Sequence, residues 1–544
     1  MRRKTKISPR LAFLRMRYPF FGQEFYLNSY PDIADLTIHP LRHYHEHGKA
    51  ENRLMKAGEQ QARVGLMRRR IMNALRLAFL RMRYPSFDRK FYLNRYPDIA
   101  DSTRHPLRHY HEHGKYEGRL KYASEQPSSR SKKLARLMPG RRHRLVGKFS
   151  QLDRNRKTVL VVLHQTNRTG APLIGYNLVL GLLERHNVVV FALETGPIVQ
   201  ACQSAGAVVM VTRRKCRNPR IAGRLLAHIC RSARPEFAIV NSVEARCTLA
   251  GLKSLGIPSL CLIHEFAAYT RPRLEFLDAV EASDEVVFPA SIVRENAWQA
   301  HPSTASRQFP VIPQGLCAFP PAPKSQQGLG AEGETAEYVR AKMGLDEIDD
   351  KTIVVVAVGF FSYRKGPDLF VQCASQIVKR DPKNKYHFVW VGTGYAPETD
   401  GRQSAYLADQ IGRENLTGLV HFSGELQNMD AVYAASDVML LTSRLDPLPC
   451  VCMEAFFAGL PLVCFDKTTG IVEFLENSGL REQCVAEYLD VSDMADKTIA
   501  ITKSKTLRNS ITKTALSAAT EAFNMATYVQ QIEDQGLRLV KDRS

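Results

Sequence analysis

None of the eleven cysteines precedes Cys202, and the one close pair, Cys450 and Cys452, stands in an apolar run. That spacing excludes a zinc finger or ribbon and a disulfide framework, so the cysteines are read as reduced core residues of a cytosolic protein. Long apolar runs are missing too. Nowhere do about 18 apolar residues follow one another, which excludes a helical membrane span. The apolar run in the opening MRRKTKISPRLAFLRMRYPFFG is broken by Arg15 and Arg17, too early for the core of a signal peptide. Acidic residues are scarce in one place. Residues 1–150 hold 12 Asp and Glu against 34 Lys and Arg, so the whole net charge of +22 lies there, and residues 151–544 are neutral with 42 of each. A basic appendage is joined to an ordinary globular pair of domains, and it suits an anionic partner, a membrane surface or nucleic acid.

The appendage is a duplication. LAFLRMRYP at 11–19 recurs at 77–85, FYLN at 25 recurs at 91, YPDIAD at 30 recurs at 96 and HPLRHYHEHGK at 39 recurs at 105, a constant period of 66. Each copy is expected to form short helices broken at its Tyr-Pro and His-Pro steps. The two HYHEH runs invite a metal reading. Without a cysteine or a second carboxylate cluster to complete a ligand set, a basic, aromatic packing or docking face is expected instead. Residues 66–84 place Met67, Ile71, Ala74, Leu75, Ala78, Phe79 and Met82 at helical spacing with arginines opposite, the pattern of an interfacial helix or of a helix packed on its sibling repeat.

Residues 122–156, rich in Ser and Arg, read as a linker. Beyond them strand-like runs alternate with helical ones in two series. TVLVVL, NVVVFAL, AVVMV, FAIVN, PSLCLI and EVVFP belong to a domain over 157–318; IVVVAV, YHFVWV, LVHF, DVMLL and PLVCF belong to one over 351–515. A Pro- and Gly-rich linker over 319–350 separates them, and 516–544 reads as a terminal helix. Two doubly wound α/β domains place the default ligand site in the cleft between them.

SRLDPLPCVCMEAFFAGLP (443–461) sets Asp446 in a loop, because Pro447 and Pro449 disfavour helix before them, and sets Glu454 on a helix that starts at about Pro449 or Cys450 and stops at Gly459. In VVVAVGFFSYRKGPDLFV a strand ends at Gly359 and a helix begins near Pro367, with Arg364 and Lys365 at the turn, where two cations beside a helix N-terminus would hold a diphosphate. HFVWVGTGYA ends its strand in small residues, Gly392 and Gly394, that let a flat ring approach the backbone.

Taken in order, G-x4-RKG, VGTG and the last segment with two acids separated by seven residues resemble family 4 of the retaining glycosyltransferases, which have the GT-B fold. The resemblance extends over nearly 390 residues: HQTNRTGAPLIGYNLVLGLL to the first glycine loop, with Gly170 opening a helix toward the cleft; LCLIHEFAAY, with His264 and Glu265, to the strand end where the family often places a histidine beside the donor sugar, which makes His264 a catalytic candidate; VIPQGL to the hinge; and AFNMATYVQQIEDQ to a C-terminal helix returning to the first domain. It implies that Glu454 binds ribose hydroxyls, Asp446 the donor sugar, and Arg364 and Lys365 the diphosphate, with no metal or other cofactor. Asp446 stands where the family usually has Glu, and Phe360 where many members have Arg. The basic repeats resemble a module attached to bacterial polysaccharide-building glycosyltransferases. The implied protein is a cytoplasmic enzyme, peripheral at the inner membrane face. It would move a sugar from a nucleotide sugar to a glycan or lipid-linked glycan acceptor in surface polysaccharide or lipopolysaccharide synthesis; nucleic acid is not the expected partner. A sugar-nucleotide epimerase and an inactive scaffold binding membrane or nucleic acid are the rivals.

Overall fold

A computed structural model describes residues 143–543 apart from 213–215, 273, 321–333, 347 and 350, together with short stretches between 21 and 111. The chain divides into two compact units, Met1–Arg136 and Leu137–Ser544.

In the first unit, residues 66 apart play matching parts. Tyr26 and Tyr92 are both fully buried. Different tyrosine–histidine pairs are bonded in the two copies: the Tyr26 hydroxyl meets His43 Nδ1 at 3.2 Å in the first, and in the second the Tyr84 hydroxyl, at the position of Tyr18, meets His111 Nδ1 at 2.9 Å. Tyr84, Phe87, Tyr92 and Tyr110 pack as one ring cluster with centroids 5.0–5.7 Å apart. The His-Pro steps open helices rather than break them. Pro40 and Pro106 begin Pro40–His43 and Pro106–His109, and the preceding His39 and His105 accept the backbone N–H of Leu41 and Leu107. Proline at the first helical position forfeits an N–H that has no helical partner anyway. No group of three or more His, Cys, Asp or Glu among the described residues is placed to hold a metal ion. Most of the 66–84 segment lies outside the described residues.

The second unit holds two sheets. The first comprises β1 (His143–Val146), β2 (Thr158–Leu163), β3 (Asn187–Ala192), β4 (Val208–Thr212), β5 (Phe237–Asn241), β6 (Ser259–Leu262) and β7 (Glu285–Val287), in the order β1-β4-β3-β2-β5-β6-β7. The second comprises β8 (Ile353–Val358), β9 (Tyr386–Val391), β10 (Val420–Gly424), β11 (Val438–Leu441), β12 (Leu462–Phe465) and β13 (Val485–Ala486), in the order β10-β9-β8-β11-β12-β13. β1 runs antiparallel to β4; the other ladders are parallel. Helices on both faces bury β2 to β6 completely, which is why those strands read as unbroken apolar runs. Five helices frame the account: α1 (Gly170–Leu183), α2 (Pro367–Arg380), α3 (Cys450–Phe457), α4 (Lys505–Ala522) and α5 (Met525–Lys541).

Three boundaries differ from the sequence reading. The stretch read as a linker over 122–156 ends in structure: β1 extends the first sheet, and the Asn187 side chain bonds backbone groups of Asp153 and Arg156 at 2.7–2.9 Å. A four-residue strand amid basic residues leaves no periodic signal. The second domain begins earlier than 351, because Ala336–Lys342 and the residues after it bury Val339, Met343 and Leu345 in that domain's core. At the C-terminus the crossover falls at Phe523 and Asn524, not 516. α4 stays on the second domain because Ala515 and Ala519 are buried there, and Asn524 then caps α5, accepting from Thr527 N at 3.0 Å. α5 lies on the first domain. Glu533 on it is buried, accepting from Arg185 Nε at 2.9 Å and pairing with His186 Nε2 at 2.7 Å. The outgoing and returning crossovers touch, with Leu316 N donating to Phe523 O at 2.9 Å.

Candidate active site

Both sheets reverse their winding at an inner pair of strands, β2 and β5 in the first and β8 and β11 in the second, and the loops leaving the carboxyl ends of such a pair form the natural ligand crevice. In the second sheet those two loops run together. Gly366 adopts φ +70°, and any Cβ there would overlap Thr442 O, so glycine is required for the approach. Thr442 Oγ1 donates to Lys365 O at 3.1 Å and Arg444 N to Arg364 O at 2.8 Å.

This pairing brings Asp446, Arg364 and Lys365 into one cluster. Asp446 is buried; its Oδ1 accepts from Arg364 Nη1 at 3.0 Å, and its Oδ2 from Lys365 Nζ at 2.5 Å and Ser443 Oγ at 3.1 Å. Its own N donates to Thr468 O at 2.7 Å, which fixes the loop from the far side. Burial opposes charge on this carboxyl, but Lys365 and Arg364 outweigh it and hold Asp446 below the usual carboxylate range. Two cations and one anion leave the crevice with a surplus positive charge beside the start of α2. Arg444 braces the same turn, stacking on Tyr363 with its guanidinium carbon 3.9 Å from the ring centroid and gripping Asp368 at 2.6–2.8 Å.

Glu454 lies on α3, which starts at Cys450 after an extended Pro449 and ends before Gly459 at φ +75°. It is half-buried, and its Oε2 accepts from the Tyr433 hydroxyl at 2.8 Å. Burial raises its pKa, and the Tyr433 bond opposes the rise. The two acids of the motif thus face different partners. Gly359 and Gly392 meet backbone to backbone: a Cβ on Gly392, at φ +146°, would overlap Gly359 O, which also accepts from Trp390 Nε1 at 2.8 Å. Glycine at 392 therefore serves the contact between two strand-end loops. A Cβ on Gly394, at φ +110°, would crowd the Phe360 ring and the Cβ of Phe361.

In the first domain Gly170 opens α1 with free space around the position of a Cβ. His264 follows β6, and its Nε2 lies 2.8 Å from Asn241 Oδ1. Burial, then the nearby His164, push His264 down to about 4, so the ring is neutral near pH 7. Glu265 accepts from Ser242 Oγ, from His264 N at 3.0 Å and from Val243 N at 3.5 Å, and burial raises its pKa. Among the described residues no hydrogen bond joins His264 to Asp446, Arg364 or Lys365; contact between the halves runs through neighbouring groups. Leu445 packs on the first domain's core, and Leu448 O accepts from Gln314 Nε2 at 2.7 Å. Tyr433, Ser443 and Asn241 were not found from the sequence, since each is an ordinary residue that only the tertiary fold brings to the site.

Residues 342–517 match the protein family described as "Glycosyl transferases group 1". Mannosylfructose-phosphate synthase of Agrobacterium fabrum is 26% identical over 147 residues, 27% of this chain and 31% of that protein. The amylovoran biosynthesis glycosyltransferase AmsD of Erwinia amylovora is 29% identical over 125 residues, 23% of this chain and 32% of that protein. The chain thus spans about a third of the length of these curated relatives. Among solved structures, Anabaena HepE in complex with UDP and glucose superposes with a TM-score of 0.56 at 16% identity, over 70% of this chain and 99% of that one. Two doubly wound domains of this kind make the fold GT-B.

Proposed function

We propose that the chain, whose residues 342–517 form a group 1 glycosyl transferase domain, transfers a sugar from a nucleotide diphosphate donor to a hydroxyl of a glycan or lipid-linked glycan acceptor, with retention at the anomeric carbon. The observation that carries the reading is the cluster of Asp446, Arg364 and Lys365 at the second sheet's winding reversal, with Glu454 on the helix that follows.

Charge sets the mechanism. The leaving diphosphate is stabilised by Arg364 and Lys365 and by N–H groups at the helix starts, so side-chain cations take the part a divalent metal plays elsewhere. In the free protein Asp446 holds both cations, which keeps them aimed at the crevice; a donor diphosphate shares them with Asp446 while the carboxylate takes sugar hydroxyls. Glu454, steadied by Tyr433, takes the ribose. Retention follows from attack on the face the diphosphate leaves, its oxygen accepting the acceptor's proton. HepE is described with UDP, glucose and UDP-glucose, which favours a nucleotide sugar as the class of donor.

No helix among the described residues is long and apolar enough to cross a membrane. The basic residues 1–150 would hold the enzyme at an anionic inner membrane face, each contributing about 1 kcal/mol near such a surface, where lipid-linked acceptors for bacterial surface polysaccharide are found.

The test is release of nucleotide diphosphate from a panel of nucleotide sugars, with and without a glycan acceptor, in EDTA. Acceptor-dependent release unaffected by EDTA is expected. Conversion of the donor alone would indicate an epimerase, and no turnover of any nucleotide sugar a scaffold.

A further inference from the structure

We infer that Glu473 is a positioning residue that ties the Asp446 loop of the second domain to the start of a first-domain helix, and so sets Asp446 against the opposite wall of the cleft. The inference rests on the transferase reading for the reaction it serves and on the bonds alone for the tie.

The helix Ser291–Ala300 has no cap from its own neighbourhood. Its N-cap position is Ala290, whose side chain cannot accept a hydrogen bond, so the first N–H groups of the helix need a partner from elsewhere. That partner comes from the other domain, 182 residues on: Glu473 Oε2 accepts from Ser291 N at 3.2 Å, and Oε1 accepts from Ser291 Oγ at 3.0 Å. A carboxylate suits the place because the helix dipole leaves a helix start positive. Glu473 also stands in the first turn of its own helix, Ile471–Asn477, so one charge serves two helix starts. Ala290 itself is covered by Gly470, where a Cβ would overlap the Ala290 Cβ.

The same segment carries the Asp446 loop. Asp446 N donates to Thr468 O and Gly470 N to Pro447 O, each at 2.7 Å, and Asp446 pairs with Thr469 as a parallel bridge. A Cβ on Gly470 would also stand 2.7 Å from Pro447 O, so this glycine lies between the Asp446 loop and the first domain. Residues 446–447, 468–470 and 290–291 therefore form three layers in contact, and Glu473 fastens the second to the third. Arg364 and Lys365 hold the charge of Asp446, but both belong to the second domain and cannot set its distance from the first. Glu473 does so through the Thr468–Gly470 segment. It is exposed, so its bonds add little to stability, and what they supply is position. Leu445 and the bond from Gln314 to Leu448 hold the loop from its other side, so loss of Glu473 loosens the loop without releasing it.

The experiment uses the full-length protein with Glu473→Ala, Glu473→Gln and Ser291→Ala. In Glu473→Ala, hydrogen exchange should quicken at the backbone amides of Ser291 and Asp446 while the strands of the second sheet stay protected. Turnover of the nucleotide sugar found by the release assay should fall about tenfold, the order expected when a reacting contact is slightly displaced. Nucleoside diphosphate affinity should be unchanged, because Arg364, Lys365 and Glu454 remain. Glu473→Gln can still accept from Ser291 N and bond its hydroxyl, so it should recover most of the turnover, and it guards against an alanine variant that fails to fold. Ser291→Ala keeps the N–H and should lose less than Glu473→Ala; combined with Glu473→Ala it should add nothing further. Wild-type turnover or wild-type exchange at Asp446 in Glu473→Ala, a glutamine variant as impaired as the alanine one, or a diphosphate affinity that falls in step with turnover overturns the inference. If the wild type turns over no nucleotide sugar, the transferase reading fails, and exchange at Asp446 then decides the tie by itself: faster exchange in Glu473→Ala upholds it, unchanged exchange removes it.

Discussion

The two halves of the second unit share one winding, reversing at β2 and β5 in one sheet and at β8 and β11 in the other, yet they furnish the reversal points in opposite ways. The β8/β11 crevice is charged and internally paired: Asp446 accepts from Arg364, Lys365 and Ser443. The β2/β5 crevice carries no cation–carboxylate pair among the described residues: Asn241 is bonded on both sides, His264 Nδ1 has no partner there, and Glu265 is held by Ser242 and backbone N–H groups. A polyanionic leaving group needs fixed charge, and charge placed out of full solvent is tolerable only when paired. Hydroxyl groups need directed donors and acceptors, which a neutral amide and imidazole provide without a counterion. The same scaffold thus supplies electrostatics on one wall and hydrogen-bond direction on the other.

The largest effect should come from breaking the charged side. Asp446→Asn is expected to lower turnover by about 100-fold or more, an order typical of losing an electrostatic contact at a reacting centre. It should leave nucleoside diphosphate affinity unchanged or higher, because Arg364 and Lys365 lose their internal anion. Isothermal calorimetry on the variant checks this; affinity falling in step with turnover would mean Asp446 serves the diphosphate site and not the sugar. The variant should also lose roughly 3 kcal/mol of stability, the lower end for breaking a buried pair, since Arg364 remains half exposed.

Next in size is Glu454→Ala. Losing a charged hydrogen bond to ribose corresponds to about 1.5–3 kcal/mol, or roughly 10- to 100-fold in donor affinity, with little change in fold because the carboxylate is half-buried at the cleft.

Acidification should separate the two carboxylates. Glu454 has a raised pKa and takes its proton first; Asp446 has a lowered one and takes it last. Donor affinity should therefore weaken at the upper edge of the carboxylate range while the Asp446 cluster is intact. Because the folded pKa of Asp446 lies below its unfolded value, its contribution to stability is present above that unfolded value and is lost as pH falls through the folded one. Binding and melting followed together between about pH 6 and pH 3 would show the two losses in that order; simultaneous loss would contradict the assignment.

The smallest expected effect concerns the tie between the halves. Glu533→Gln leaves His186 without its carboxylate partner and Arg185 with Glu184 alone, 3.9 Å away, and should cost about 2 kcal/mol in thermal unfolding, less than a fully buried pair because Arg185 is partly exposed. Hydrogen exchange should show α5 loosening from the first domain.

How much of this was legible beforehand follows from the same contrast. Asp446, Glu454, Arg364 and Lys365 could be picked out because charges among turn prolines and glycines are conspicuous and their spacing is a recognisable motif. The parallel strands could be placed because burial on both faces writes continuous apolar runs. Asn241 could not be picked out. It is one amide at a strand end, and its meaning depends on Ala171 and Gly175, some seventy residues earlier in the chain. Tyr433 steadies Glu454 from 21 residues away with no periodic sign of doing so. β1 and β13 escaped notice because strands of four and two residues are too short to show alternation.

The most direct test of the central claim, that the second domain holds a nucleotide sugar through Glu454 and the Asp446 cluster, is thermal unfolding of wild type and Glu454→Ala across a panel of nucleotide sugars. A ligand that binds the folded state alone raises the melting temperature with its occupancy. One class of nucleotide sugar should stabilise the wild type in a concentration-dependent way, and Glu454→Ala, melting at nearly the same temperature when free, should lose most of that shift. A panel that shifts neither protein, or one that shifts both equally, would contradict it.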